Sequence, residues 1–336
     1  MTELLKELCS IDGTSGDEKS VRDFIISQIN GFCEWKTDNL GNIIVFKKGK
    51  QRVKEKIMLD AHMDEVGLII TSITDEGFLN FKTVGGINTS ALMFKKVLIN
   101  GKTVGAISGK PVHLLNSEQK KKLPDTESLY IDIGAASKQE AQTCVCLGDR
   151  AVVVGNFEAS DKKLLSKAID DRAGCAVLID LIKNCDEYDF YASFSVQEEI
   201  GLRGAKVSTY AINPDFALIL EATTAADIAG VSEQNRVCEL GNGAAISFMD
   251  GATSYDRTLY NIAINSQIKA QPKRAVAGGN NAGAVHLSRE GVRTLAISVP
   301  CRYLHTESGV CDIDDIMNVR QMAEYMLNKI ARGEIK

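Results

Sequence analysis

KIMLDAHMDEVG, residues 56–67, decides how the rest of the chain is read. Its first half, KIMLDA, is a short apolar run suited to a buried strand, and the polar pair His62-x-Asp64 lies just past it. Upstream stands a second such run, NIIVF at 42–46. A helix is expected before it over 17–30, because Ser15 and Glu18 make a capping-box pattern and Val21, Phe24, Ile25 and Ile29 follow helical spacing. Downstream the texture changes. From about 67 to 160 come short β-rich runs broken by glycine: GLIITSI, GFLNFKTV, KKVLING, KTVGAIS, SLYIDIG and AVVVGN. No long helix separates most of them, which predicts a small antiparallel barrel or sandwich. Beyond about 165 helix and strand alternate again: AGCAVLIDLIK as a helix, FYASFSV as a strand, a helix after Glu199, then FALILEA and TLAISVP as buried strands. Residues 312–331 close the chain as a helix with Ile316, Val319, Met322 and Met326 on one face. The expected fold is α/β, with a mixed-sheet domain from 1–66 plus 161–336 and an inserted β-rich domain at 67–160.

At 336 residues the chain exceeds what one hydrophobic core normally serves, in keeping with that division. A hydrophobic content of 44% with 25% charged residues is ordinary globular composition and argues against disorder. The net charge of -5 gives no reason to expect nucleic acid or an anionic membrane as a partner. The opening MTELLKELCSIDGTSGDEKS is acidic from position 3 and has no long apolar core, so it reads as neither signal peptide nor membrane span. Nine cysteines, an odd number without a C-x-x-C pair, read as reduced thiols of a cytoplasmic protein.

Polar residues gather where the strands end. His62 follows KIMLDA, Glu198-Glu199 follow FYASFSVQ, Glu221 follows FALIL, and His305 comes shortly after TLAISVP. In open α/β sheets the ligand crevice lies outside the carboxyl ends of the strands, so these side chains are expected to converge there. Asp170-Asp171 precede a helix instead, and their turn can face the same crevice. Each has an ordinary reading when taken alone: a surface histidine, a helix cap, a solvated acid pair. Glu221 is harder to read so, because an unpartnered carboxylate at the end of an apolar run carries a desolvation cost of a few kcal/mol or more, roughly. Together, two histidines and several carboxylates are a ligand set suited to Zn²⁺, Co²⁺ or Mn²⁺. Two such ions bring four positive charges against three negative ones from Asp170, Glu199 and Glu221, a balance that favours an activated water. A neighbouring carboxylate must then carry its proton, and Glu198 is free for that if Glu199 is a ligand.

AHMDEVG at 61–67, DDRAG at 170–174, QEEIGLRGA at 197–205 and CRYLHT at 301–306 resemble the M42 metallo-aminopeptidases, which include glutamyl and tetrahedral aminopeptidases. KPVHLL at 110–115 and SLYIDIGA at 128–135 resemble stretches of that family's inserted domain, so the likeness runs over nearly the whole chain. The resemblance implies a zinc-peptidase-like catalytic domain holding two divalent ions per subunit. His62 would bind one ion, with Asp64 on its other ring nitrogen. Asp170 would bridge both and be joined to Asp171 by a cis bond. Glu199, Glu221 and His305 would complete the ligand set, and Glu198 would be the general acid/base. It also implies short peptides as substrates and a twelve-subunit assembly to which the inserted domain contributes.

Two positions depart from the family pattern. Glu221 stands where aspartate is commoner, and AGGNNAG at 277–283 stands where the family has Gly-Gly-Thr-Asp lining the substrate site. By that resemblance Gly279, Asn280 and Asn281 would line the site here, and Asn281→Asp would improve use of free amino termini. The leading expectation is an aminopeptidase. An N-acyl amino acid or peptide deacylase with the same metal site is the alternative, and a non-catalytic assembly or peptide-binding subunit the second.

Overall fold

The computed structural model describes residues 1–118, 121, 122 and 124–335. Three strands open the chain, β1 (Glu34–Thr37), β2 (Ile43–Lys47) and β3 (Ile57–His62). Six more follow: β4 (Gly67–Ile73), β5 (Leu79–Val84), β6 (Lys96–Ile99), β7 (Thr103–Ser108), β8 (Tyr130–Asp132) and β9 (Arg150–Val153). These six close into an antiparallel barrel in the order β4-β5-β8-β7-β6-β9, the first of the two forms expected of this stretch. Alternation puts Leu68, Ile70, Leu79, Phe81, Val97, Ile107 and Ile131 into a core of the barrel's own.

The remaining strands return to the first sheet: β10 (Glu158–Ala159), β11 (Lys163–Ser166), β12 (Phe190–Ser195), β13 (Phe216–Thr224), β14 (Ala244–Ser247), β15 (Ala270–Lys273), β16 (Arg293–Arg302) and β17 (Gly309–Asp312). Its order is β1-β2-β12-β3-β13-β16-β17-β11-β10, with β14 joining β16 and β15 joining β14. The central four, β12, β3, β13 and β16, run parallel, so their carboxyl ends lie together.

Both faces of this sheet are covered, which is why its middle strands read as nearly unbroken apolar runs. Helices Thr2–Ser10, Lys19–Ile29, Ile169–Asn184 and Ile313–Ala331 cover one face and bury Leu59, Ala61, Leu218 and Leu220 from it. Helix Ile313–Ala331 begins where the Asp312 carboxylate accepts the Asp314 amide at 2.9 Å, and Ile316, Val319, Met322 and Met326 are fully buried as their spacing predicts. Each such side chain contributes about 1.5–3 kcal/mol by burial. Helices Arg203–Ile212 and Ala282–Val285 cover the other face, over Met58, Ala217, Ile219 and Ala296. The period of two in β3 therefore sends Met58, Asp60 and His62 to this second face, and in β13 it sends Glu221 there too.

The helix expected over 17–30 begins later, at Lys19, with Glu18 as its N-cap residue and no side-chain cap. Ser15 and Glu18 do not form a capping box. The Ser15 hydroxyl donates to Asp64 at 2.6 Å, and Glu18 accepts the Gly16 amide at 2.7 Å and the Gln197 amide at 3.1 Å. Long-range partners beat the local motif because both side chains are buried against the strand ends.

Candidate metal centre and active site

His62 is the last residue of β3 and is 1% exposed. Its Nε2 lies 3.2 Å from Asp170 Oδ1 and 3.4 Å from Glu221 Oε1. His305, in the turn after β16, points its Nε2 at Glu199 Oε1 (3.1 Å) and Asp170 Oδ2 (3.5 Å). One Asp170 carboxylate thus faces both histidines, an oxygen to each. The second ring nitrogens are taken by backbone carbonyls: His62 Nδ1 lies 3.1 Å from the Asp64 oxygen and His305 Nδ1 2.7 Å from the Gly86 oxygen. With those bonds made through Nδ1, each Nε2 is the ring nitrogen left to a metal set between it and the carboxylates. Gly86 lies just past β5, so the barrel orients the second histidine. The Asp64 carboxylate lies, as expected, against the same ring nitrogen, 3.4 Å from Nδ1, and it also accepts the Glu198 amide at 2.9 Å and the Glu199 amide at 3.1 Å.

Glu221 lies inside β13 rather than at its end, three residues short of Thr224. It faces the centre by alternation along β13. The bond between Asp170 and Asp171 is cis. Ligand atoms of His62, Asp170 and Glu199 lie within 4.8 Å of one another, as do those of His62, Asp171 and Glu221. Asp171 differs from the others, because its two oxygens accept backbone amides, from His62 at 3.2 Å and Gly174 at 2.9 Å. It tethers the helix start to the strand end, while Asp170 carries the open donor atoms.

Five carboxylates, Asp170, Asp171, Glu198, Glu199 and Glu221, meet here, and among the described residues no lysine or arginine pairs with any of them. Burial, with Asp171 beside it, pushes Glu221 well above the usual carboxylate range. Burial raises Glu198 to about 8; the adjacent Glu199 and Asp170 add to that and the His62 ring opposes it. Glu221 Oε2 is buried with no hydrogen-bond partner. A cluster this acidic, with two ring nitrogens already oriented, fits divalent cations: each histidine with one glutamate makes a half-site, and Asp170 is common to both.

The cleft over these groups has a volume of about 310 Å³. Gly279 and Asn280 line it, but Asn281 does not. Asn281 is 1% exposed and turns under the sheet, its amide donating to Asp60 Oδ2 at 2.7 Å and Ser195 Oγ at 2.8 Å. That corrects the expectation that it touches substrate. An aspartate there would lose both donors and meet the Asp60 carboxylate, so Asn281→Asp should destabilise the fold by about 1–3 kcal/mol. Chemical denaturation checks this, and a variant as stable as the native protein with better turnover of free amino termini would restore the earlier expectation.

One supporting residue carries a local signal that points elsewhere. Glu18 joins the first helices to the loop before Glu198, and burial, with Asp64 nearby, pushes its carboxyl up from 4.5 to about 7. The folded state therefore holds this proton more tightly than the unfolded chain, and the group's contribution to stability is lost as pH rises from 4.5 toward 7. Glu18→Gln keeps an oxygen for both amides without the charge. Relative to the native protein it should gain about 2 kcal/mol between pH 5 and 8. Urea midpoints measured across that range test this, and parallel pH curves would contradict it.

Over the full length, the chain is similar to known proteins of one family. Residues 41–322 match the sequence profile described as M42 glutamyl aminopeptidase. A lysyl aminopeptidase of Pyrococcus furiosus is 30% identical over 98% of this chain and 97% of its own. Among solved structures, an aminopeptidase of the archaeon Desulfurococcus kamchatkensis superposes with a TM-score of 0.91 at 33% identity, covering 96% of this chain and 93% of that one. The Pyrococcus horikoshii TET1 peptidase, described as assembling into a tetrahedron or a large octahedral shell, superposes at 0.83 with 34% identity, over 96% and 97%. The four motifs, the mixed sheet with its inserted barrel and these matches agree, and the chain belongs to the M42 glutamyl aminopeptidase family.

Proposed function

We propose that this protein is a metal-dependent aminopeptidase that removes residues from the amino terminus of short peptides. The observation that carries the reading is the Asp170 carboxylate set between His62 with Glu221 and His305 with Glu199, with Glu198 beside them. When bound, two divalent ions supply Lewis-acid polarisation of the scissile carbonyl and lower the pKa of water. Zinc is the proposed ion, and cobalt and manganese suit the same donors. Glu198 takes the proton of the attacking water and returns it to the departing amine, as a general acid/base must in amide hydrolysis. Asp64 holds Glu198 and Glu199 in place through their amides, so base and ligand move together.

A homo-oligomer, in the form of a dodecamer, is proposed from a solved relative, PhTET1-12s, that is described as a dodecamer. Supporting it, Phe94 and Leu147 on the barrel segment are 74% and 64% exposed, large apolar surfaces that an assembly would cover. The barrel would then serve assembly and substrate access. Among the described residues no helix is long and apolar enough to cross a membrane, and a cytoplasmic location is proposed.

Mass spectrometry of Leu-Ala-Ala-Phe and its N-acetylated form, incubated with zinc-, cobalt- or manganese-restored protein, tests the reading. Stepwise loss of single residues from the free peptide alone is expected. Cleavage confined to the acetylated peptide would replace the aminopeptidase with a deacylase.

A further inference from the structure

One wall of the cleft over the metal centre has no regular structure. Ala275, Ala277, Gly278, Gly279 and Asn280 line it, in the stretch between β15 and helix Ala282–Val285, and side chains this small give it little packing of its own. A second loop, between β14 and helix Arg257–Ile264, fixes its shape. The Gly251 amide donates to the Gly278 carbonyl at 2.8 Å, and the Tyr255 hydroxyl meets the Asn280 side chain. The direction of each bond follows from the partners. The Asp250 carboxylate, 2% exposed, only accepts: one oxygen takes the Ala252 and Thr253 amides at 2.8 and 2.7 Å, and the other takes the Tyr255 proton at 2.5 Å. Tyr255 has that single proton to give, so toward Asn280 it accepts, from Nδ2 at 3.1 Å. Asn280 Oδ1 is thereby turned to the Ala282 amide, 2.9 Å away, at the start of the next helix. Burial, with Asp250 beside it, raises the Tyr255 hydroxyl, which keeps it a neutral donor.

Building on the aminopeptidase reading, we infer that Tyr255 is a positioning residue for substrate binding: by fixing the Asn280 amide it holds the Gly278–Gly279 wall in the shape that receives the peptide. Tyr255 acts through Asn280, which lines the cleft, and is itself buried behind it. The bonds to Gly278 and Asn280 tether the wall to the loop. With the second one cut, the substrate must order the wall itself, at the expense of its own binding energy. The residues of the metal centre sit on other elements, so the chemical step is left as it was.

Tyr255→Phe, Asn280→Ala and the double variant are compared with native protein, all metal-loaded, by steady-state hydrolysis of Leu-Ala-Ala-Phe and by hydrogen exchange of residues 274–280. In Tyr255→Phe, KM should rise about 3-fold to 10-fold while kcat stays within about twofold. Exchange should quicken in 274–280 and not across the rest of the sheet. In the Asn280→Ala background the same substitution should move KM by less than about twofold, because the group through which it acts is gone. A general loosening of the fold would quicken exchange throughout and would not depend on Asn280. Asp250→Asn keeps an oxygen for the Ala252 and Thr253 amides and turns an NH2 toward Tyr255, and it is read in the same way should Tyr255→Phe not fold. An unchanged KM, a fall confined to kcat, or KM effects that multiply in the double variant would overturn the role of Tyr255 while the aminopeptidase reading stands. No hydrolysis by native protein would overturn both.

Discussion

Glu198→Gln should lower kcat by a factor of about 10² to 10⁴ while metal content and melting behaviour stay native. The reason is local. Glu198 is held by its backbone, whose amide donates to Asp64 Oδ1 at 2.9 Å, and glutamine leaves that bond and the side-chain length unchanged. What is lost is a carboxylate able to take up and release a proton. Burial already makes that carboxyl a stronger proton acceptor than an ordinary glutamate, with a value of about 8 before cations enter beside it. Steady-state kinetics with a parallel metal assay separates the two contributions. Activity within about threefold of native, at full metal content, would mean that another group moves the proton.

Glu65→Leu should cost about 3–5 kcal/mol of stability, the second large effect. Glu65 is 4% exposed, and one of its oxygens accepts the Lys167 ammonium at 2.6 Å and the Gly13 amide at 3.1 Å, with Arg172 at 3.7 Å. Arg172 is fully buried and donates to the carbonyls of Leu8, Ile11 and Met63, fastening the first helix to the end of β3. Removing the shared carboxylate strands two buried cations, with only Asp12, 3.2 Å from Lys167, left to pair. The damage reaches the site as well, because Glu65 follows Asp64 and Arg172 follows Asp171. Denaturant unfolding measures the loss; a midpoint unchanged from native would show that the clamp carries little of the fold.

The elements that announce themselves are those whose partners lie within one period of themselves. Ile316, Val319, Met322 and Met326 state a helix face, KIMLDA and FALILEA state buried strands, and the glycine-punctuated runs from 67 to 160 state a β domain. The centre is legible for a related reason: its histidines and acids sit at or near the ends of parallel strands, where topology gathers them. What local pattern hides is the partner across the fold. Ser15 and Glu18 carry a capping signature yet serve Asp64 and the loop before Glu198. Asn281 follows the cleft-lining Gly279 and Asn280 and turns into the sheet, because Asp60, a buried acid of β3, takes its amide. Glu65 and Arg172 lie inside the recognised motifs, but their work is with each other and with the amino-terminal helix.

The central claim is that His62, Asp170, Glu199, Glu221 and His305 form one centre for two cations bridged by Asp170. Counting zinc by elemental mass spectrometry, in chelator-stripped protein titrated with the ion and then freed of excess, tests it directly. Two ions per subunit are expected in the native protein, with a loss of at least one in His305→Ala. A native protein that retains one ion or none, with its fold intact, would contradict the account.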